Sequence, residues 1–407
     1  MDDVTGRLQA ETNTETTRKP VPLWLLSLLT FSGTLAMHIF VPALPIAAAD
    51  LNAGIGAMQM TVSLYIAGLA VGQLVYGPLS DRFGRRRTMM VGLALYIAAG
   101  LAAALAPDVH ALIAARLFQA LGGCAGLVLG RAIVRDDALP TEAARRLALM
   151  NLMVTLGPGL APIVGSALAS TLGWRAIFFA LCGLGVTNFL LSWRLLPETA
   201  ATARPGSGAT LARNYWRLLR SPAFLGFAIG GGFATTAIYA FIVTAPFIIV
   251  HQLGRPAYEV GPYLAVPIFG IWLGSMLASR LIPIVPMKRL MVAGNALSVA
   301  AAFAFLAIVV AGHLTVPATL AVMIVFTIGA GTASPAALSE AISVNPKVIG
   351  SASGLYGFAQ MAAGAICTTL AGLGSDPALS AAIVLFGAGS LAQAAFWFAR
   401  WRSRPAV

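Results

Sequence analysis

Long apolar runs dominate this chain of 407 residues and decide which folds are open to it. A helix that crosses a bilayer needs about 20 apolar residues, and twelve runs of this kind can be placed. Runs of this length predict helices, because the strands of a membrane barrel show only short alternation. The predicted spans are residues 22–45, 57–79, 88–107, 109–131, 146–171, 174–196, 222–250, 259–282, 289–311, 314–338, 347–374 and 377–400. The sequence therefore predicts an all-α polytopic membrane protein.

The distribution of charge supports a membrane protein with a fixed orientation. Apolar residues make up 58% of the chain and charged residues only 10%, whereas a soluble domain usually carries about 25% charge. The net charge of +12 falls mainly in alternate connections between the runs, and on the other side lie only Arg175 and Arg255. Because positive residues collect on the cytoplasmic side, both termini are predicted to be cytoplasmic. An inner-membrane location is expected, and a nucleic-acid partner is excluded.

A polar linker divides the predicted helices into six and six. The expected organisation is a disordered cytoplasmic tail, an N-terminal six-helix bundle, a cytoplasmic linker, a C-terminal six-helix bundle and a second tail. These segments are residues 1–21, 22–196, 197–221, 222–400 and 401–407. Within the linker, residues 214–219 are expected to form a short amphipathic helix on the inner surface. The pattern predicts two pseudo-symmetric bundles.

The connection between the second and third runs concentrates charge and glycine, and reads GPLSDRFGRRR at residues 77–87. It resembles the signature G-x-L-x-D-R-x-G-R-[KR]-x of the major facilitator superfamily, which implies the transporter fold of two bundles. The resemblance also implies that Asp81 lies against the start of the eleventh helix, and Arg85 is expected to pair with Asp136. Such a group would hold the inside closed; a basic loop that only sets orientation is the alternative. The predicted latch consists of Gly77, Asp81, Arg82, Gly84, Arg85 and Asp136.

Two further motifs lie within the fourth and fifth runs. Arg116 and Gln119 share a helix face, and an arginine at this depth is costly unless it meets a wet cavity or a partner. They are similar to the family motif R-x-x-Q-G-x-G, with Ala120 in place of the first glycine. The fifth run contains GPGLAPIVGS, which resembles the G-P-x-x-G-G motif of antiporters; a kinked packing helix is the alternative interpretation. This antiporter motif helix is marked by Gly157, Pro158, Ala161, Pro162 and Gly165.

The end of the first run reads MHIFVPALP at residues 37–45. With WRAIF at residues 174–178 and PET at residues 197–199, it resembles the bicyclomycin and chloramphenicol resistance (Bcr/CflA) group of drug:proton antiporters. The resemblance covers the whole chain and implies drug export by proton antiport. One departure matters, because the group typically has an aspartate where His38 stands. None of the fourteen carboxylates is predicted near the bilayer centre, so His38 is the expected proton carrier; a structural histidine is the alternative.

His38 and Arg116 are predicted at a similar depth, roughly 9–11 Å below the outer rim at 1.5 Å per residue. They are therefore expected to share one cavity. Without a buried carboxylate a cationic drug lacks a counter-ion, so neutral or weakly anionic, phenicol-like amphiphiles are the expected substrates. Apolar walls with few polar groups suit broad recognition. The predicted substrate and proton residues are His38, Arg116, Gln119, Thr34, Tyr65, Asn151, Tyr239, Tyr356 and Gln360.

Transport of a metabolite is the alternative to export of a drug. An exporter or facilitator of a small metabolite, such as a sugar or amino-acid derivative, would use the same fold. A membrane enzyme or sensor is disfavoured because His110, His251 and His313 are scattered in outer loops. The chain contains no Walker A motif, so nucleotide-driven transport is excluded. No catalytic residue, metal or cofactor is expected, and the expected partners are a small molecule, protons and membrane lipid, with a monomeric chain.

Overall fold

A computed structural model of the chain describes residues 21–138, 140–198, 208–345 and 348–402. The first half, residues 21–198, contains α1 (Leu23–Ile39), α2 (Leu44–Asp50), α3 (Ile55–Phe83), α4 (Arg85–Ala104), α5 (Val109–Asp136), α6 (Pro140–Leu172) and α7 (Arg175–Leu195). The second half, residues 208–402, contains α8 (Gly208–Leu219), α9 (Pro222–Thr236), α10 (Ile238–Phe247), α11 (Val260–Leu281), α12 (Met287–Val310), α13 (Val316–Ser343), α14 (Ile349–Gly372) and α15 (Pro377–Arg402). Because no strand occurs in these described ranges, the prediction of an all-α chain is confirmed.

Ten helical stretches of the described chain are long and apolar enough to cross a membrane. They comprise α1 with α2, α9 with α10, and the single helices α3, α4, α5, α7, α11, α12, α13 and α15. Helices α6 and α14 have 33 and 24 residues, which also suffices for a bilayer that takes about 20 residues per span. The chain is therefore a multi-pass membrane protein, and the full count of twelve spans stays a prediction.

Two of the predicted spans are not single helices, and prolines lie beside the interruptions. Helix α1 ends at Ile39, and a 3-10 turn at Val41–Ala43 separates it from α2. Pro42 and Pro45 lack the N–H group that would continue the helical hydrogen bonds. The seventh span is divided between α9 and α10 and then widens into a π turn at Ile248–Gln252, just after Pro246.

At one end of the molecule the helices continue beyond the apolar runs. Helix α3 reaches Phe83 and α5 reaches Asp136, several residues past the predicted spans. The linker contains α8, which is longer than the helix expected at residues 214–219. Hydropathy underestimates these helices because their last turns are polar and lie outside the apolar segment. The end that carries residues 81–87 is called the basic end below, and the other is called the opposite end.

The halves meet along two helix pairs, α3 with α14 and α6 with α11. Both contacts need small residues. A Cβ added to Gly56 would lie 2.7 Å from the carbonyl oxygen of Gly372, and one added to Gly261 would overlap the carbonyl of Pro162. Helices approach this closely in membranes where glycine removes the side chain. The two halves are therefore packed backbone against backbone at these points.

Hydrogen bonds join the two halves at the opposite end. The Ser166 hydroxyl donates to the backbone oxygens of Ala257 and Tyr258 at 3.3 and 3.0 Å. The amide of Gln59 donates to the backbone oxygen of Val243 at 3.4 Å. At the basic end, by contrast, a cavity of about 370 Å³ lies between the halves. The halves are thus bonded to each other at the opposite end, although an open depression of about 490 Å³ remains there between residues 45–55 and Phe247 with His251. No bond of this kind crosses the cavity at the basic end among its described lining residues.

Candidate functional site

Arg116 lies in the interior of α5 and is completely buried. Its Nη1 donates to Oε1 of Gln119 at 2.7 Å, and its Nη2 donates to the carbonyl oxygen of Ala36 in α1 at 3.0 Å. The spacing of three residues brings Arg116 and Gln119 onto one face of the helix. Within the described residues no carboxylate bonds to this guanidinium. Arg116 therefore ties α5 to α1 while keeping its positive charge uncompensated.

Aromatic rings surround the guanidinium. Its Cζ lies 4.0 Å from the ring centroid of Tyr65 and 5.7 Å from those of Phe40 and Phe178. The faces of such rings attract a cation and offset part of the hydration that burial removes. The Tyr65 hydroxyl donates to the carbonyl oxygen of Gly33 at 2.8 Å, which orients its ring between α3 and α1. The guanidinium of Arg116 therefore lies in apolar surroundings, with the ring of Tyr65 in contact with one side of it.

Two N–H groups of this pair are left without an acceptor. Nε of Arg116 and Nε2 of Gln119 are buried and have no hydrogen-bond partner in the described part of the chain. Buried polar groups in proteins are normally bonded. Groups of this kind are suited to a neutral oxygen or an anion supplied by a bound molecule.

His38 lies next to the end of α1, where 5% of its surface is exposed. Its Nδ1 has no hydrogen-bond partner among the described residues. Its ring packs on that of Tyr239 in α10, with centroids 6.0 Å apart and planes inclined at 57°. Because Tyr239 belongs to the second half, His38 stands at the contact between the halves. Relative movement of the halves would change its surroundings directly.

The predicted residues of the second half fall into two places. The Gln360 amide donates to the Thr235 hydroxyl at 2.8 Å, and the Thr236 hydroxyl donates to the Gln360 backbone oxygen at 3.0 Å, which joins α14 to α9. Tyr239 packs against the hydrophobic cluster that contains the surroundings of Arg116. Tyr356 belongs to a separate cluster formed with α9 and α15, where its hydroxyl is buried without a partner in the described residues.

Thr34 and Asn151 complete the predicted set. Thr34 is half-buried, and its hydroxyl donates to the carbonyl oxygen of Phe31 in its own helix at 3.0 Å. A Cβ added to Gly157 would lie 3.6 Å from this hydroxyl oxygen. The side chain of Asn151 lies outside the described residues. Thr34 therefore lies where α1 and α6 meet.

Helix α6 is wedged between α1 and α11. A Cβ added to Gly165 would overlap the carbonyl oxygen of Ile39, and Ala161 is completely buried. Pro158 and Pro162 both lie inside the helix. Helix α6 also packs on α11 of the second half. A movement of one half relative to the other would therefore shift α6 against α11.

At the basic end, ion pairs of Arg85 connect three helices. Its guanidinium lies 2.6 Å from the carboxylate of Asp81 in α3 and 2.9 Å from that of Asp136 in α5. It also donates to the Ser80 hydroxyl. The Asp81 carboxylate and the first turn of α14 line the same cavity, but the partner of this carboxylate is Arg85. The ion pairs therefore join α3, α4 and α5 within the first half.

The other latch residues shape the same connection. Gly84 separates α3 from α4 with φ of 95°, a backbone conformation that glycine adopts without strain. Arg82 lies over the ring of Phe83, 5.2 Å from its centroid. A Cβ added to Gly77 would meet nothing within 4 Å. Of the two predicted glycines, only Gly84 is therefore required by the geometry described.

The contact made by Glu198 was not predicted, although residues 197–199 were part of the family resemblance. Glu198 follows α7, and its carboxylate accepts from the backbone N–H groups of Arg85 and Arg86 at 2.7 and 3.4 Å. A carboxylate at the start of a helix satisfies unpaired N–H groups and favours the helix dipole. A Cβ at Gly84 would overlap this carboxylate. The sequence did contain a signal for this contact. Gly84 precedes α4 and has no side chain with which to cap it, so a capping group has to come from elsewhere in the chain.

Comparisons with known sequences agree with this architecture. A family model described as Major Facilitator Superfamily matches residues 26–368. YdgK of Bacillus subtilis, named an uncharacterized MFS-type transporter, is 30% identical over 385 residues, which cover 92% of this chain and 94% of that protein. Multidrug resistance protein D of Escherichia coli is 30% identical over 367 residues, with 86% and 88% covered. Multidrug transporter MdfA of Yersinia pestis is 31% identical over 262 residues, or 64% of each chain.

Solved structures share the fold at low sequence identity. A bacterial homologue of the human lysosomal transporter Spinster, in an inward-facing and unoccupied conformation, matches with a TM-score of 0.73 at 16% identity and covers 94% of this chain and 98% of its own. The xylose transporter XylE of Escherichia coli, partially occluded and inward open, matches with a TM-score of 0.71 at 14% identity, with 94% and 97% covered. At these identities the likeness shows the fold alone, and it confirms the fold expected from the sequence.

Proposed function

Because the chain belongs to the major facilitator superfamily, we propose that it exports small amphiphilic drugs by proton antiport and alternating access. The proposed substrates are neutral or weakly anionic and phenicol-like. Relatives named as multidrug transporters support drug efflux as the general activity. The observation that carries the substrate class is the buried Arg116, whose acceptors are an amide oxygen and a carbonyl oxygen.

The charge on Arg116 argues against cationic cargo. Two like charges 4 Å apart repel by about 4 kcal/mol at an effective dielectric constant of about 20. A neutral drug avoids this cost, and its oxygens can accept from the unpaired N–H groups of Arg116 and Gln119. An anionic group would gain a charge-assisted hydrogen bond as well. The rings of Tyr65 and Phe178 supply apolar contact on the same site.

The arrangement of the two ends supports alternating access. We infer that the basic end faces the cytoplasm, because positive residues concentrate in cytoplasmic connections. The cavity at that end and the bonds of Ser166 at the opposite end then correspond to a conformation open towards the inside. Release on the outer side would require the contacts of Ser166 and the packing of His38 on Tyr239 to separate.

Replacing His38 with Gln is expected to remove the pH dependence of export. The reason is that His38 is a titratable group at the contact between the halves, with Tyr239 against its ring and the charged Arg116 bonded to the same helix. The measurement is the initial rate of drug export from proteoliposomes at a series of pH values.

His251 provides the matched control for this experiment. It is exposed at the opposite end, where its ring lies beside Phe247, so His251→Gln should keep the pH profile of the wild type. A pH profile that is unchanged in His38→Gln would assign His38 a structural role.

Asp81→Asn is expected to reduce export about fivefold, which corresponds to about 1 kcal/mol of differential stabilisation between transport states. The substitution weakens the contact of 2.6 Å with Arg85. Folding should change little, because the Asp81 side chain is 47% exposed and ion pairs at such sites contribute about 0–1 kcal/mol. Export rate and thermal midpoint of the purified variant are the two measurements.

Glu142→Gln is the control, because Glu142 also pairs with an arginine four residues away at the basic end, at 3.0 Å. It should retain export. Full activity of Asp81→Asn, or equal losses in both variants, would remove the latch from the mechanism.

The export function itself is tested with purified protein in liposomes under an imposed pH gradient. A panel of neutral, anionic and cationic drugs is offered on the basic-end side. Gradient-driven movement of a neutral or anionic drug, abolished by a protonophore, is the expected result. Movement driven only by the drug gradient would instead favour a facilitator or metabolite exporter, since His38 stands where the group has its aspartate.

A further inference from the structure

The cavity at the basic end is a distinct compartment from the surroundings of Arg116. It has a volume of about 370 Å³ and lies between α3 and α5 of the first half and α14 and α8 of the second. Its charged lining residues are Asp81, Arg85, Arg131 and Arg135. Three guanidiniums and one carboxylate therefore face a single space between the halves.

The arginines of this cavity differ in their partners. Arg85 is neutralised by Asp81 and Asp136, at 2.6 and 2.9 Å. Arg131 and Arg135, four residues apart on α5, form no ion pair or hydrogen bond with any described residue. Side chains at this spacing share a helix face, and two like charges there repel. Since two carboxylates face the single charge of Arg85, these five groups carry a net charge of +1. The two guanidiniums of Arg131 and Arg135 are the ones left without a bonded carboxylate among the described residues.

The facing wall is the first turn of α14, which contributes Gly350, Ser351, Ser353 and Gly354. The residue that precedes this helix, Val348, makes no side-chain capping bond. The first N–H groups of a helix lack partners within it and carry partial positive charge. The two serine hydroxyls add further donors, so both walls of the cavity favour negative charge.

We propose that this cavity is a binding site for a phosphate or carboxylate group. Arg131 and Arg135 supply the charge from one half, and the start of α14 supplies N–H and hydroxyl donors from the other. Arginine matches the geometry of both anions through paired N–H donors. An anion held here bridges the halves and stabilises the state in which the cavity exists. Its identification as export cargo, rather than a lipid headgroup, rests on the proposed function.

The binding claim is tested with the purified full-length protein in detergent, using inorganic phosphate and benzoate as probes in calorimetric titrations. The wild type is expected to bind both probes saturably. Arg131→Gln should weaken binding at least tenfold, because it removes one of the two arginines that have no ion-pair partner among the described residues. Arg87→Gln is the control, because Arg87 is an exposed arginine of the same end that does not line the cavity. This variant should bind phosphate and benzoate with the affinity of the wild type.

A second variant keeps the test decisive if Arg131→Gln is poorly folded. A Cβ added to Gly350 meets nothing within 4 Å, so Gly350→Asp can be accommodated and supplies a carboxylate to the cavity from within the chain. It should abolish binding of both probes without lowering the thermal midpoint. Absence of saturable binding by the wild type, or equal affinity in all variants, would overturn the site.

Two further arms identify the source of the anion. If phosphate binding disappears in nanodiscs of phosphatidylglycerol but persists in phosphatidylcholine, the natural ligand is an anionic headgroup. If binding persists in both, and Arg131→Gln raises the KM for export of a carboxylate drug at constant kcat, the ligand is cargo. Export without anion binding would remove this site and leave the proposed function standing. Anion binding without export would remove the proposed function and leave this site standing.

Discussion

Export by the variant Arg116→Met is expected to fall roughly 100-fold, because one charge-assisted hydrogen bond to cargo is worth about 1.5–3 kcal/mol. Stability should fall modestly. Replacing a buried ion by an apolar side chain of similar size is neutral or gains about 1–4 kcal/mol. Against this, the oxygens of Gln119 and Ala36 lose their donor, at about 1–3 kcal/mol each. At central values the loss exceeds the gain by about 2 kcal/mol, so the variant should fold with a lowered thermal midpoint.

The measurement pairs kcat/KM of export in proteoliposomes with the thermal midpoint of the purified protein. Arg116→Lys is the informative control, since it keeps the charge but cannot reach both Gln119 and Ala36 with the fixed fork of a guanidinium. An intermediate loss is expected for it. If Arg116→Met exports normally, Arg116 is a packing residue and the substrate assignment fails. If it unfolds, the hydrogen bonds between α5 and α1 are the main role of this side chain.

Gly165→Ala is expected to cause the largest loss of stability among single small substitutions in α6. The added Cβ would overlap the carbonyl oxygen of Ile39, which is backbone and cannot turn aside as a side chain could. Forcing atoms into a packed interior typically costs about 1–3 kcal/mol, and occasionally more. The fraction of protein that remains monodisperse after heating in detergent measures the effect.

Gly183→Ala is the matched control, because a Cβ at Gly183 in α7 meets nothing within 4 Å. Its stability should equal or exceed that of the wild type, since alanine favours a helix over glycine by about 1 kcal/mol. Equal behaviour of the two variants would show that α1 and α6 can separate without cost, and the wedge described for α6 would be wrong.

Much of the fold could be predicted from the sequence because bilayer spans leave a direct mark in hydropathy. In lipid a long apolar run forms a helix, because a helix hydrogen-bonds its backbone N–H and C=O groups within the segment. The interruption at Val41–Ala43 was not predicted, although Pro42 and Pro45 were visible, because proline can also be accommodated inside a membrane helix. The added length of α8 was missed because it begins with Gly208, and glycine is a poor helix former.

The site could be predicted only where partners are close in sequence. Arg116 and Gln119 are three residues apart, and helix geometry alone brings them together. The acceptor in Ala36 is a backbone oxygen, which exists at every position and leaves no mark in the sequence. The bond from Glu198 to the start of α4 joins residues 113 positions apart. Contacts of this kind depend on how helices pack, which periodicity does not specify.

The contacts of Ser166 have a consequence for how this protein can diverge. Its hydroxyl bonds to the main-chain oxygens of residues 257 and 258, so the side chains at those positions take no part in the seal. Mutations there preserve the acceptors, and the exposed ring of Tyr258 is free to be exchanged. The sequence at residues 257 and 258 can therefore vary as long as the path of the main chain is kept, whereas position 166 must keep a hydroxyl donor.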